Sequence, residues 1–182
     1  MSPRYAIAAA RLQDLHALAR IEIAAAQLLR GHAPESVLSE TTDEHELREA
    51  QAARRLWVAC ANDTPVGFAL VEMLADDLPH LEEIDVDPQH GRRGLGTALV
   101  RTVCEWVSRS GCPEITLTTF RALPWNMPFY SRLGFEVVPT NRLRPELAAV
   151  VRDETVRGLD PKRRVVMRYR VRTATSDPEQ SS

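Results

Sequence analysis

The chain has 182 residues, of which 44% are hydrophobic and 26% are charged, a composition typical of one globular domain and not of a disordered, collagen-like or coiled-coil chain. Its 23 Lys and Arg against 25 Asp and Glu give a net charge of −2, which provides no positive field to hold DNA or RNA. No apolar run approaches the roughly 20 residues of a membrane-spanning helix, and residues 1–11 lack a signal-peptide pattern, so we expect a soluble, cytoplasmic protein without nucleic-acid or membrane partners.

Hydrophobic periodicity predicts strands and helices in the first half of the chain. A short apolar segment precedes leucines and isoleucines at helical spacing, and turn residues at 62–65 separate two β-rich runs. The predicted elements are a strand at 5–10, helices over 12–23 and 43–55, and strands at 56–61, 66–74 and 79–86. The last three strands form a predicted meander.

The second half alternates helices with strands. An amphipathic helix starts near Gly94 and stops at Gly111, two residues before Pro113. The other predicted elements are strands at 114–120, 135–138 and 163–172 and helices at 128–133 and 145–157. This order predicts an α/β fold with a mixed, mostly antiparallel central sheet of about six to seven strands and helices on both faces. We expect residues 1–172 to form a single domain and residues 173–182 a disordered tail.

The loop between the strand that ends at Val86 and the helix near Gly94 is the most informative part of the sequence. Glycine permits positive φ and close backbone approach, and the first amides of a helix attract anions, so this context predicts a phosphate site. A Walker loop is excluded because Thr97 and Ala98 follow Gly96 where a Lys-Ser or Lys-Thr pair is required. The glycine order also departs from the dinucleotide fingerprint, which argues against NAD.

This segment resembles the acetyl-CoA pyrophosphate loop of the GNAT N-acetyltransferase superfamily, which reads Arg/Gln-x-x-Gly-x-Gly/Ala after a strand ending Val-x-Pro. Residues 86–88 match the strand end, and residues 91–96 match the loop, with Gly91 standing where the family has Arg or Gln. The resemblance implies a GNAT-like domain that uses acetyl-CoA and no metal. Three cysteines without metal-type spacing independently predict buried thiols and no zinc site. The implied cofactor-binding residues are Val86, Gly91, Arg92, Arg93, Gly94, Leu95, Gly96 and Thr97.

A second segment, residues 125–135, resembles the family's Asn…Tyr-x-x-x-Gly-Phe stretch through Tyr130, Gly134 and Phe135. An amine that attacks a thioester must lose a proton, and the departing CoA thiolate must gain one. The resemblance implies that Tyr130 donates the proton to the thiolate. The alternative is a core tyrosine with a hydrogen-bonded hydroxyl.

The general base is predicted on the strand at 79–86. Period-two alternation places Glu82, Ile84 and Val86 on one face and Glu83 and Asp85 on the other. Family members often carry a base four residues before the valine, which implies Glu82, with Glu83 as the second choice. A water relay and a purely solvated surface role for either glutamate remain alternatives. A backbone amide near Val86 would hold the thioester carbonyl.

The leading functional hypothesis is an acetyl-CoA-dependent N-acetyltransferase, an acyltransferase of EC 2.3.1 type, acting on a small-molecule primary amine. The strand carries an acidic cluster that would favour a cationic amine, although part of such a cluster is often simply solvated. The alternatives are a protein N-terminal or lysine acetyltransferase and a catalytically silent CoA-binding module. The acidic residues are Asp76, Asp77, Glu82, Glu83, Asp85 and Asp87.

The predicted helix at 145–157 is an insertion, because the family commonly joins its last two strands by a hairpin. Leu147, Val150 and Val151 form an apolar side at helical spacing. Such a helix either covers the sheet edge or borders the acceptor cleft as a lid or a homodimer contact.

Overall fold

A seven-stranded mixed sheet is the centre of the computed structural model, which describes residues 3–171. The strands are β1 (Tyr5–Ala9), β2 (Leu56–Ala61), β3 (Thr64–Ala75), β4 (Leu78–Val86), β5 (Glu114–Phe120), β6 (Glu136–Val137) and β7 (Arg164–Arg170). Their order in the sheet is β1-β2-β3-β4-β5-β7-β6. All neighbours are antiparallel except β4 and β5. The predicted fold class is therefore confirmed.

The helices are α1 (Leu18–Ala26), α2 (Glu35–Leu38), α3 (Glu44–Ala52), α4 (Leu95–Ser110), α5 (Met127–Arg132) and α6 (Pro145–Val156). The periodicity of residues 12–23 predicted one helix, but Leu12–Ala17 form a 3-10 helix before α1 begins. The one-turn helix α2 was not predicted, because four residues are too few for a periodic pattern. Within residues 3–171, no helix has the length and apolar character required to span a bilayer. The tail expected at 173–182 lies outside the described residues.

Side-chain alternation along β2 divides the core between the two faces of the sheet. Trp57 and Ala59 pack in the cluster that contains the buried face of α4. Val58 and Cys60 point the other way, into the cluster formed with α1 and α3. The sheet is therefore covered on both sides, which explains why β2 is buried along its whole length.

A β-bulge interrupts the pairing of β4 with β3. Leu70 pairs with Glu83 and Val71 pairs with Leu81, so Glu82 is the extra residue on β4. The predicted alternation is wrong at this point. Leu81, and not Glu82, shares the α4 face with Ile84 and Val86. The bulge turns Glu82 away from that core.

Beyond the bulge, β4 separates from its parallel neighbour β5. His80 and Thr116 are the residue pair that joins the two strands. From there to Val86 the two strands diverge, and the opening between them is where the candidate site lies.

Candidate active site

The gap between β4 and β5 is the floor of one continuous cleft of about 930 Å³. Its walls come from the loop before α4, from α5, from the segment after α1 and from α6. Of the residues predicted for the site, all line this cleft except Arg93. The predicted residues that line it are Glu82, Glu83, Val86, Gly91, Arg92, Gly94, Leu95, Gly96, Thr97 and Tyr130.

The loop before α4 presents unpaired backbone amides to the cleft. Gly94 is the N-cap in the left-handed region at φ 78°, and the bond from the Ala98 amide to the Gly94 carbonyl, 2.9 Å long, begins the helical ladder. The amides of the first helical turn therefore have no partner within the helix. A Cβ built on Gly96 would meet only Phe129 of α5, at 3.7 Å. The loop can accept a phosphate at the positive end of α4.

Arg92 and Arg93 lie in different surroundings. Arg92 lines the cleft and adopts a left-handed φ of 57°. The Arg93 guanidinium lies over the ring of Tyr5, 5.7 Å from its centroid, and the Tyr5 hydroxyl contacts Nδ1 of His90 at 3.0 Å. Arg93 is thus held against β1, and of the two arginines Arg92 is the one placed to approach a ligand in the cleft.

Tyr130 lies on α5 with only 8% of its surface exposed. Its ring makes edge contacts with Phe129 and Phe135, with centroid distances of 5.0 and 5.6 Å. The hydroxyl forms no hydrogen bond with a residue in the range 3–171. Burial raises the pKa of this hydroxyl, and negative charge on the neighbouring Glu83 and Asp85 raises it further. The group therefore stays protonated and can donate a proton in the cleft.

Three carboxyl groups of β4 face the cleft. Burial raises the pKa of Glu82 to about 7, and the negative charges of Glu72 and Glu46 add to the rise. Burial also raises the pKa of Glu83 to about 8, with contributions from Glu22 and Glu82. The Asp85 carboxyl is hydrogen-bonded to Glu83, and burial raises its pKa as well. Glu83 therefore holds a proton near neutral pH, whereas Glu82 exchanges its proton there.

His80 is a buried neighbour of Glu82. Its side chain is 1% exposed, and Nδ1 contacts the Thr116 hydroxyl at 2.8 Å. Nε2 lies 3.9 Å from a carboxylate oxygen of Glu82. Burial lowers the pKa of His80 to about 4, so the imidazole is neutral beside Glu82. The sequence around His80 carries no local signal for this position, because its neighbour Thr116 is 36 residues away along the chain.

The insertion α6 forms a wall of the cleft. Glu154 is bonded to Arg164 of β7 through two contacts, of 2.5 and 3.1 Å, and it also accepts a hydrogen bond from Thr118. Both charged side chains are nearly buried, with 13% of Arg164 and 10% of Glu154 accessible. Arg157, beyond the end of α6, pairs with Glu40 of the segment after α2. All four charged residues line the cleft.

Glu22 of α1 is a further cleft residue that the sequence analysis missed. It is buried and accepts bonds of 3.0 and 3.1 Å from the backbone amide of Thr42 and one of 3.1 Å from the Thr42 hydroxyl. Local sequence offers no signal for it, because its carboxylate is brought to β4 by tertiary packing. Among residues 3–171, no group of three or more His, Cys, Asp or Glu side chains is arranged to hold a metal ion.

Curated relatives resemble only parts of this chain. A glucosamine 6-phosphate N-acetyltransferase of Trypanosoma brucei brucei is 38% identical over 56 residues, which cover 31% of this chain and 36% of the relative. YafP of Escherichia coli K12, an uncharacterized N-acetyltransferase, is 30% identical over 101 residues, covering 56% and 59% of the two chains. The chain thus spans about a third to three fifths of the length of these relatives.

Solved structures share the fold over nearly the whole chain. The PaiA N-acetyltransferase of Thermoplasma acidophilum, in complex with coenzyme A, has a TM-score of 0.71 at 18% identity and covers 92% of this chain and 99% of its own. The ribosomal-protein-S18-alanine N-acetyltransferase of Escherichia coli has a TM-score of 0.65 at 20% identity, covering 97% and 99%. The family model described as Acetyltransferase (GNAT) family matches residues 19–135. The chain therefore belongs to the GNAT acetyltransferase family.

Proposed function

We propose that the protein transfers an acetyl group from acetyl-CoA to a small cationic primary amine. One observation carries this proposal: a single cleft joins the amide-rich end of α4 to a protonated tyrosine and to a carboxyl group whose pKa is about 7. An anion site, a proton donor and a proton acceptor are the parts that acyl transfer to an amine requires.

The end of the cleft at α4 would hold acetyl-CoA. Backbone amides of residues 92–97 would bind the pyrophosphate, and Arg92 would add a positive charge. The absence of a side chain at Gly94 and Gly96 leaves the backbone open to close approach. A backbone amide near Val86 would stabilise the oxyanion that develops on the thioester carbonyl.

Glu82 and Tyr130 would handle the protons. Glu82 takes one proton from the ammonium group, and the free amine attacks the thioester carbonyl carbon. When the tetrahedral intermediate collapses, the carbon–sulfur bond breaks and Tyr130 donates its proton to the departing thiolate. The second amine proton returns to the tyrosine oxygen, so that one proton leaves through Glu82 in each turnover.

Electrostatics supports a cationic acceptor. Glu82, Glu83 and Asp85 face the cleft, and the basic side chain paired with one of them among residues 3–171, His80 beside Glu82, is neutral. The Glu82 carboxyl has a pKa of about 7, so it supplies negative charge to a bound ammonium group from neutral pH upward. The Arg157–Glu40 ion pair favours a small acceptor. It joins the segment after α6 to the segment after α2, and both residues line the cleft, so the pair restricts access to it.

Substitution of Gly94 tests the assignment of the loop. Gly94→Asp brings a negative charge to the phosphate site, whereas Gly94→Asn has nearly the same shape and no charge, and both residue types tolerate the left-handed region. Calorimetry should show weaker acetyl-CoA binding by the Asp variant than by the Asn variant, with the gap narrowing in high salt. Equal affinities would remove the loop from the binding site. Acetylation of an amine panel with labelled acetyl-CoA tests the transfer itself.

A further inference from the structure

The acceptor end of the cleft has an apolar wall. The segment after α1, the end of β5 and the segment after α6 bring together a small cluster in which Phe120 and Leu159 are buried. Leu28, beside Leu29 in the same segment, also lines the cleft and is 51% exposed, although it is a large apolar side chain. The cleft-lining members of this wall are Leu28, Leu29, Ala33, Val37, Phe120 and Leu159.

The charged side chains around this wall already have ion-pair or hydrogen-bond partners within the protein. Glu154 is paired with Arg164, and Glu40 is paired with Arg157. Glu22 is held by three hydrogen bonds from Thr42. The carboxyl groups that remain for a ligand are those on β4, and Glu82 is the one that ionises near neutral pH, so negative charge is available at the floor of the cleft and not along its wall.

We propose that the acceptor is a primary monoamine with an apolar body, whose ammonium group lies at the β4 carboxyl groups while its hydrocarbon part covers the wall at Leu28 and Val37. This inference rests on the proposed acetyl transfer. A second ammonium group at the far end of the acceptor would lose water against the apolar wall and find its carboxylates already paired, which is unfavourable. A hydrocarbon end there gains the apolar contact instead.

Two amines with the same six-carbon chain test the inference. n-Hexylamine and 1,6-diaminohexane differ only in the ammonium group at the far end. We expect the wild-type protein to show at least a tenfold higher kcat/KM for hexylamine after correction for the two equivalent ends of the diamine. From butylamine to hexylamine, kcat/KM should rise about fourfold per CH₂ group. A diamine that is used equally well or better would overturn the proposal.

Leu28→Asp should reverse part of this preference, because it places an unpaired carboxylate where the second ammonium group would lie. Leu28 is exposed, so the change should leave folding intact. Leu12→Asp is the matched control, since Leu12 is 60% exposed and lies outside the cleft. An unchanged ratio of the two kcat/KM values in Leu28→Asp would also refute the proposal.

Failure of this inference is distinguishable from failure of the proposed function. If neither amine is acetylated while another amine is, acetyl transfer stands and the apolar acceptor is wrong. If no amine in the panel is acetylated and the Gly94 variants bind acetyl-CoA equally, acetyl transfer itself is refuted, and this inference falls with it.

Discussion

Glu82→Gln offers the sharpest test of the proposed chemistry, because it removes the proton acceptor and preserves the shape of the side chain. The Glu82 carboxyl has a pKa of about 7, so kcat/KM of the wild-type protein should rise about tenfold per pH unit below 7 and level off above it. In the variant, the substrate amine must lose its proton to water before it enters the cleft. Its kcat/KM should then follow the free-amine fraction of the substrate.

The size of the effect follows from the two pKa values. At pH 8 Glu82 is about 90% ionised, whereas an amine with a pKa of about 10.4 is only about 0.4% free base. Transfer of a proton from the ammonium group to a carboxylate of pKa about 7 is itself uphill, so these fractions set upper limits for the slowing of the variant: about 200-fold at pH 8, about 25-fold at pH 9 and about threefold at pH 10. The gap closes as the pH rises, which a loss of binding or of folding would not produce.

The assay is kcat/KM for one amine, measured from pH 6 to 10 by release of the CoA thiol. Glu72→Gln is the matched control, because it removes an exposed charge that raises the pKa of Glu82 and leaves the base in place. In the Glu72→Gln variant, the rise of kcat/KM with pH should shift to lower pH by about 0.1–0.7 pH units, and the plateau value of kcat/KM should not change. A constant ratio between wild type and Glu82→Gln across this range would refute the role of Glu82. The same closing gap in Glu83→Gln would assign the role to Glu83.

Three further predictions concern the proton donor, the buried carboxyl group and the α6 anchor. Tyr130→Phe should lower kcat by about 10 to 10³-fold with little change in acetyl-CoA affinity by calorimetry; an unchanged kcat would mean that water protonates the thiolate. Since the pKa of Glu83 is about 8 in the folded protein and about 4.5 in the unfolded chain, the folded protein keeps a proton that the unfolded chain releases, so the free energy of unfolding should fall between about pH 4.5 and 8. Glu83→Gln should flatten that decline, and an unaltered slope would contradict the burial argument. Glu154→Gln leaves the Arg164 charge unpaired and should lower the free energy of unfolding, measured in urea, by about 3–5 kcal/mol. Adding Arg164→Met removes that unpaired charge, so the double variant should regain part of the lost free energy of unfolding.

The binding loop and the tyrosine could be predicted because their information is local. The strand, the glycines and the amphipathic helix adjoin one another in the chain, and the tyrosine precedes Gly134 and Phe135 directly. The orientation of Glu82 could not be predicted, because a bulge depends on how β3 pairs with β4 and leaves no mark on the alternation of β4 itself.

The charged walls of the cleft were missed for a related reason. Glu154 and Thr118 lie 36 residues apart in the chain, and Arg157 and Glu40 lie 117 apart. In the sequence, each of these charged side chains has the pattern of an ordinary solvent-exposed residue. Tertiary packing brings them together at the cleft. The pKa values of the β4 carboxyl groups depend on the same packing, because burial is the largest cause of each rise.

The single residue pair between β4 and β5 divides the sheet mechanically into two half-sheets. One comprises β1 to β4, whose neighbours are consecutive in the chain, and the other comprises β5, β7 and β6. A ligand bound between the half-sheets contacts both of them and so links them where backbone hydrogen bonds do not. At a ligand concentration of a hundred times its dissociation constant, binding stabilises the folded protein by about 2.7 kcal/mol. Amide hydrogen exchange along the facing edges of the half-sheets should therefore slow when acetyl-CoA is added. The rigidity of the sheet would thus depend on whether acetyl-CoA is bound between the two half-sheets.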